Sequence, residues 1–163
     1  MDSYQNTMTT AKKERQHIIA IGASAGGMEE IHTFFDFTPH DEVSYVIVQH
    51  LSPDFKSRMA ELLAKHSKLK ICEVVDNMEV EKNQVYIIPN DMYMAIRGGR
   101  LRLTKKEGKE GPHMTINTFF LSLAEDWGDK AIGIILSGSG NDGSLGIAAI
   151  HQAGGLVLVQ DPA

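Results

Sequence analysis

Apolar runs alternate with amphipathic stretches along this chain. Residues 17–22, 43–50, 131–138 and 156–160 are short segments rich in Ile, Val and Leu, a composition typical of strands buried on both faces of a parallel sheet. Between them, apolar residues recur at helical spacing: Met28, Ile31, Phe34 and Phe35 in one stretch, and Ile116, Phe119, Phe120, Leu123 and Trp127 in another. The alternation predicts an α/β fold, a doubly wound and mostly parallel sheet with helices on both faces.

The middle of the chain follows a different pattern. The segments QVYIIP, MYMAIR and RLRLT are short and β-rich, and the pairs Asn90-Asp91 and Gly98-Gly99 separate them. Turn pairs between strand-like segments predict a small β-hairpin or meander insertion around residues 84–104. Residues 1–16 are polar and aperiodic, which predicts a disordered N-terminal extension followed by one domain over residues 17–163.

Composition narrows the classes of function. The net charge is −5 and the basic residues are scattered, which argues against a nucleic-acid partner. No apolar run approaches the ~20 residues of a membrane span, and the polar N-terminus does not resemble a signal peptide, so we expect a cytoplasmic protein without direct membrane insertion. Cys72 is the only cysteine and is predicted to be a buried strand residue. With no CxxC or HxxxH pair, no metal site is expected.

Chemically capable residues follow three of the predicted strands. Ser24, His50 and Asp142 each stand just after an apolar run. Because the carboxyl ends of parallel strands share one edge of the sheet, these side chains are expected to meet there. Together they are the three residue types of a Ser-His-Asp catalytic triad, in which His50 would take the proton of Ser24 and Asp142 would orient the imidazole.

The turn that carries Ser24 also admits other interpretations. The sequence Gly-Ala-Ser-Ala-Gly at residues 22–26 matches G-x-S-x-G, and the Ala25 N–H at the helix start is suited to stabilising an oxyanion. A dinucleotide fingerprint would need glycine at position 24. The residues alone leave three alternatives open. Ser24 could be a helix cap, His50 could stand at a strand end by chance, and Asp142 could be an N-cap in a glycine-rich anion-binding turn.

Four motifs in order resemble one known family. The segments IGASAGG, VQHLSPDF, YIIPND and LSGSGNDGSLG are similar to the catalytic domain of the chemotaxis protein-glutamate methylesterases, the CheB family. The resemblance implies Ser24 as nucleophile, His50 as general base and acid, and Asp142 as the residue that orients His50. It also implies hydrolysis of glutamate 5-methyl esters on chemoreceptors with release of methanol, deamidation of glutamines in many relatives, and no cofactor. Ala25, Ser139 and Gly140 are the expected oxyanion and substrate residues.

The chain also departs from that pattern. Ser139 stands where better-known members have methionine, and Gly111 to Thr115 replace a basic stretch. The segments LAEDWGDKAIG and GGLVLVQDPA resemble those of methylesterase modules that are fused to methyltransferase and sensor domains. We therefore expect the chain to be a fragment of a larger polypeptide, truncated at its C-terminus. The partners implied are a methylated receptor and other domains of that polypeptide. The alternative is a catalytically weak regulatory or interaction module of a fused sensory protein.

Overall fold

A computed structural model describes residues 14–24, 27–49, 59–108, 113–136 and 141–161. Nine strands and four α-helices lie in these ranges. In chain order they are β1 (Ile18–Ala23), α1 (Met28–Asp36), β2 (Ser44–Gln49), α2 (Met59–Ala64), β3 (Lys70–Glu73), β4 (Met78–Glu79), β5 (Gln84–Ile87), β6 (Met92–Arg97), β7 (Arg100–Lys105), α3 (Thr115–Trp127), β8 (Ala131–Ile135), α4 (Ser144–Gln152) and β9 (Leu156–Val159). A short 3-10 helix, Gly128–Lys130, joins α3 to β8.

Six strands form one parallel sheet in the order β3-β5-β2-β1-β8-β9. From β1 the chain first builds the sheet on one side, through β2, β3 and β5, and later returns to the other side of β1 with β8 and β9. The strand order therefore reverses between β1 and β8. In open α/β sheets, ligands and reactive groups gather at the carboxyl ends of the strands that flank such a reversal.

Two apolar clusters cover the two faces of this sheet. One joins Ile18 and Ala20 of β1 to residues of α3 and α4, among them Phe120 and Ile150. The other joins Ile21 of β1 to α1 and α2. Because successive side chains of a strand point to opposite faces, each central strand contributes to both clusters. The predicted doubly wound, mostly parallel fold with helices on both faces is confirmed.

The small β insertion contains different strands from those that the sequence pattern indicated. Gln84–Ile87, included in the predicted insertion, is instead a strand of the main sheet and pairs in parallel with β2 and β3. The insertion is an antiparallel sheet of β4, β7 and β6, and Gly98 and Gly99, both at positive φ, make its hairpin turn. A strand of four residues carries too little alternation to reveal from sequence which sheet it joins.

The last residues of the N-terminal extension predicted over residues 1–16 pack against the domain. The Arg15 guanidinium lies 4.2 Å from the centroid of the Trp127 ring, and Trp127 Nε1 donates a 2.7 Å hydrogen bond to the Gln16 carbonyl oxygen. Residues 1–13 lie outside the described ranges. Cys72, predicted to be buried on a strand, lies on β3 and is half-buried.

The ring of His32, on α1, stacks on the ring of His66, which follows α2. The rings of His32 and His66 lie 4.5 Å apart and nearly parallel, and His66 Nδ1 is 2.7 Å from the carboxylate of Asp36. Burial, followed by the nearby charge of His66, lowers the pKa of His32 below 6.5, against the attraction of Asp36 and Glu29. The neutral ring of His32 is therefore the form that the fold favours.

Acidification below pH 6.5 is expected to destabilise the protein through His32. The unfolded chain binds a proton at His32 near pH 6.5, whereas the folded chain binds it only at lower pH, so this group's contribution to stability falls as the pH drops through that window. We expect the fall in Tm between pH 7.5 and 5.5 to be smaller in His32→Gln than in the wild type. His151→Gln, at an exposed position of α4, serves as the control, and an unchanged pH dependence in His32→Gln would contradict the assignment.

Candidate active site

Ser24 follows β1 directly at the carboxyl edge of the sheet. Its carbonyl oxygen accepts a hydrogen bond of 3.0 Å from the backbone N–H of Gly27, which closes a tight turn into α1. The N-cap of α1 is Gly27, and no side chain caps the helix. Gly27, and not Ser24, therefore occupies the N-cap position of α1.

Gln49 ties the end of β2 to this turn. It is paired in register with Ala23, and its side-chain Nε2 donates a 3.1 Å hydrogen bond to the Ser24 carbonyl oxygen. The side chain is only 5% exposed. A buried amide that reaches across to the neighbouring strand end holds the backbone of Ser24 in place from the side.

Asp142 lies on the other side of the reversal, between β8 and α4. The residue is 6% exposed, and its two carboxylate oxygens accept hydrogen bonds from the backbone N–H groups of Ile116, at 2.9 Å, and Asn117, at 2.8 Å. These donors belong to the first turn of α3, where N–H groups have no partner within the helix. Asp142 therefore caps α3, while the N-cap of its own helix α4 is Gly143.

The capping is reciprocal. Asn117 in the first turn of α3 is 3% exposed, and its Oδ1 accepts hydrogen bonds from the backbone N–H groups of Gly143, at 2.9 Å, and Gly146, at 3.0 Å, at the start of α4. Asn117 of α3 thus satisfies free N–H groups at the start of α4, and Asp142, in the loop that leads into α4, satisfies those at the start of α3. Asp142 is held in position by this double contact, and a carboxylate with two donors still has capacity for a further one.

Two isoleucines bring the Ser24 turn and the Asp142 loop together. A Cβ added to Gly22 would lie 2.7 Å from Ile116 and 3.0 Å from Ile135, and one added to Gly143 would meet the same two side chains at 3.2 and 2.7 Å. Gly143 also has a φ of +107°, which favours glycine. Only glycine at both positions lets the end of β1 and the start of α4 close on the same pair of side chains.

The structure describes two of the three predicted triad residues. Ser24 and Asp142 flank the strand reversal, Ser24 after β1 and Asp142 after β8. His50, Ala25, Ser139 and Gly140 lie outside the described residues, so their roles stay predictions. Among the described residues, no group of three His, Cys, Asp or Glu side chains could hold a metal ion.

Comparison with known proteins identifies the family. The family model described as CheB methylesterase matches residues 19–163. The chain belongs to the CheB methylesterase family. The crystal structure of the Thermotoga maritima CheB methylesterase catalytic domain has the same fold, with a TM-score of 0.81 and 27% sequence identity over 91% of this chain and 82% of that one.

Curated relatives extend the comparison. A protein-glutamate methylesterase/protein-glutamine glutaminase of Xanthomonas euvesicatoria is 35% identical over 90% of this chain, and one of Salmonella typhimurium is 34% identical over 91%. These alignments cover 42% and 44% of the two relatives. An uncharacterized 104.1 kDa protein of Rhodobacter capsulatus is 40% identical over 64% of this chain and 11% of its own length. The chain thus spans less than half the length of each of these three proteins.

No helix in the part of the chain that the structure describes has the length and apolar character needed to cross a bilayer.

Asn117 and the role of Gln49 in this CheB domain were not predicted from the sequence. Both are polar side chains at buried positions, and Asn117 stands beside Ile116 in the turn that begins the apolar face of α3. A polar residue within an otherwise apolar helical face is a signal that sequence does contain, because buried polar groups need partners. Which backbone groups those partners are is decided by the packing of α3 against α4.

Asn117→Ala is expected to destabilise the fold by about 2–4 kcal/mol, because it leaves two buried N–H groups, of Gly143 and Gly146, without an acceptor. Urea denaturation followed by circular dichroism measures the change. Thr118→Ala is the matched control, since the Thr118 hydroxyl only bonds the Met114 carbonyl oxygen within the same helix, and its cost should be below about 1 kcal/mol. Equal midpoints for the two variants would contradict the reciprocal cap.

Proposed function

We propose that this chain hydrolyses glutamate methyl esters in proteins, with Ser24 as nucleophile, His50 as base and Asp142 orienting the imidazole. The observation that carries the proposal is the arrangement around the strand reversal. Ser24 directly follows β1 and the buried carboxylate of Asp142 follows β8. The side chains of Ile116 and Ile135 pack against both Gly22 and Gly143. The printed names of the Xanthomonas and Salmonella relatives supply the substrate class.

The pairing of β1 with β2 supports His50 as the partner of Ser24. Ala23 and Gln49 are in register, and the next residues along the two strands are Ser24 and His50. Adjacent parallel strands lie about 4.8 Å apart. Residues that directly follow two paired positions are therefore expected to be close to each other. The bond from Gln49 to the Ser24 carbonyl oxygen keeps the two strand ends joined.

The proposed reaction needs only these side chains and water. His50 takes the proton of the Ser24 hydroxyl as the oxygen attacks the ester carbonyl, and the resulting tetrahedral intermediate carries the negative charge on the former carbonyl oxygen. Its collapse breaks the bond to the methoxy group, which leaves as methanol with the proton from His50. Water, activated by His50, then hydrolyses the acyl-enzyme to free glutamate and restores Ser24.

Asp142 contributes by stabilising the charged imidazole and selecting its tautomer. Its position supports this role, because two N–H groups of α3 hold the buried carboxylate at the edge of the sheet where Ser24 lies. Ala25, through its N–H, is proposed to bind the oxyanion together with Ser139 and Gly140, a contribution typically worth about 10²–10³ in rate.

The proposed protein substrate is a methylated chemoreceptor or a related signalling protein in the cytoplasm, and the domain is proposed to act as one part of a larger polypeptide. The relatives' double name also suggests deamidation of glutamine, which follows the same steps with ammonia as the leaving group.

Methanol release tests this function directly. The chain is incubated with a methylated receptor fragment, and methanol is measured together with the conversion of glutamyl ester to glutamate by mass spectrometry. We expect one methanol for each glutamate formed. If the chain releases none from a fragment that the Salmonella relative demethylates, the proposal is wrong for that substrate class.

A further inference from the structure

A half-buried lysine stands at the open end of the hairpin next to the candidate active site. Lys106 directly follows β7, and its backbone N–H donates a 2.8 Å hydrogen bond to the Asp91 carbonyl oxygen where β6 begins. The hairpin is fixed on α3, because the Asp126 carboxylate accepts from the N–H groups of Gly98 and Gly99 at the opposite end. Lys106 is therefore held by the fold and does not sit on a loose tail.

One aromatic ring lies against the ammonium group, and a histidine supports that ring. Lys106 Nζ lies 5.2 Å from the centroid of the Tyr93 ring, within the range of a cation–π contact. The Tyr93 hydroxyl in turn shares a 2.6 Å hydrogen bond with Nδ1 of His113, and the two rings meet edge to face. All three side chains are half-buried. The cluster of Lys106, Tyr93 and His113 is hereafter the Lys106 cluster.

The ammonium group has no carboxylate within salt-bridge distance among the residues that the structure describes. Burial lowers the pKa of Lys106, against the attraction of Asp91 and Asp142. A partly desolvated cation without a counter-ion is unfavourable, and an arriving anion would compensate this cost. Lys105, one residue earlier, is exposed and lacks this environment.

The Lys106 cluster borders the candidate active site. His113 precedes by three residues Ile116, whose N–H donates to the Asp142 carboxylate, and the charge of Asp142 acts on Lys106. A substrate protein whose ester reaches Ser24 is expected to extend past the cluster. A methyl ester is neutral, so a negative charge that compensates the ammonium group would have to come from another group of that protein.

We propose that the Lys106 cluster binds an acidic side chain of the substrate protein next to the esterified glutamate, with Lys106 as the residue that selects acidic segments. This inference rests on the proposed function. The Tyr93 ring holds the ammonium group in place, and His113 holds the Tyr93 hydroxyl. The preference lies in substrate binding, since no atom of the cluster takes part in bond breaking.

Two peptides that differ in charge test the proposal. Both carry one glutamate methyl ester, flanked in one by glutamates and in the other by glutamines. We measure kcat/KM by methanol release and, separately, binding of each peptide to the Ser24→Ala chain by calorimetry. Because charge-assisted hydrogen bonds are about twice as strong as neutral ones, we expect the wild type to prefer the glutamate peptide by about tenfold, through KM and not kcat.

Lys106→Met is expected to lose this preference, because methionine keeps much of the apolar stem but not the charge. Lys106→Arg should retain most of it, and Lys105→Met, the matched control, all of it. Equal affinity of Ser24→Ala for both peptides, or an unchanged preference in Lys106→Met, would overturn the proposal. If neither peptide releases methanol but binding still prefers glutamate and depends on Lys106, the proposed function fails while the acidic subsite stands.

Discussion

If Ser24 is the nucleophile as proposed, replacing it with alanine is expected to lower methanol release by about four to six orders of magnitude, as in serine hydrolases that lose their nucleophile. The variant has no group that can form the acyl-enzyme. The oxyanion donors and the binding surface remain, which is why a small residual rate is expected. The measurement is kcat for a methylated receptor fragment at saturating substrate.

Ser24→Ala should fold normally, and the structure gives the reason. The turn is held through the Ser24 carbonyl oxygen, which accepts from the Gly27 N–H and the Gln49 side chain, and alanine keeps that oxygen. Ser67→Ala, between α2 and β3, is the control, since the Ser67 hydroxyl oxygen accepts a hydrogen bond from the Leu69 N–H, away from the Ser24 turn. A Ser24→Ala chain with wild-type Tm and wild-type activity would exclude Ser24 as the nucleophile.

Asp142→Asn is expected to reduce kcat by about 10³–10⁴-fold, because a neutral amide can no longer stabilise the imidazolium and favours the wrong tautomer. The change also weakens the cap of α3. One of its N–H groups, of Ile116 or Asn117, keeps an oxygen acceptor and the other faces an NH₂ group, at a cost of about 1–3 kcal/mol in stability.

The two effects of Asp142→Asn can be separated. The assay is run well below the Tm of each variant, beside Ile150→Val, which thins the core beneath α4 and should cost about 0.5–1.5 kcal/mol without touching the site. Loss of activity in Asp142→Asn alone, together with slower labelling of Ser24 by a fluorophosphonate, supports the orienting role. Wild-type kcat in Asp142→Asn would leave Asp142 as a helix cap only.

Ser24 and Asp142 illustrate how far sequence could lead. Each follows an apolar run, and the rule that parallel strands end at one edge was enough to predict that they share it. What each residue does to its surroundings was not predicted. Asp142 was weighed as an N-cap of its own helix, and it caps α3 instead, through donors 25 and 26 residues away in the chain.

The strand that was predicted to belong to the insertion has a similar explanation. Gln84–Ile87 has the same β-rich composition as the hairpin that follows it, yet it pairs with β2 and β3. The sequence of this segment indicates that it forms a strand. Its partner strands are determined by the long-range pairing that buries Val85, Tyr86 and Ile87. Arg15 and Gln16 were likewise assigned to a polar tail, because their contacts with Trp127 join residues that are 111 or more positions apart.

The sequence by itself determined the alternation of strands and helices, the parallel sheet, and the positions of Ser24 and Asp142 at strand ends, because burial on two faces and helical periodicity are local properties of the chain. Only the tertiary structure decided the reciprocal caps between Asp142 and Asn117, the shared support of Gly22 and Gly143 on Ile116 and Ile135, and the half-buried ammonium of Lys106. These depend on how α3 and the hairpin pack at the sheet edge, and such contacts between distant residues have no periodic signature in the chain.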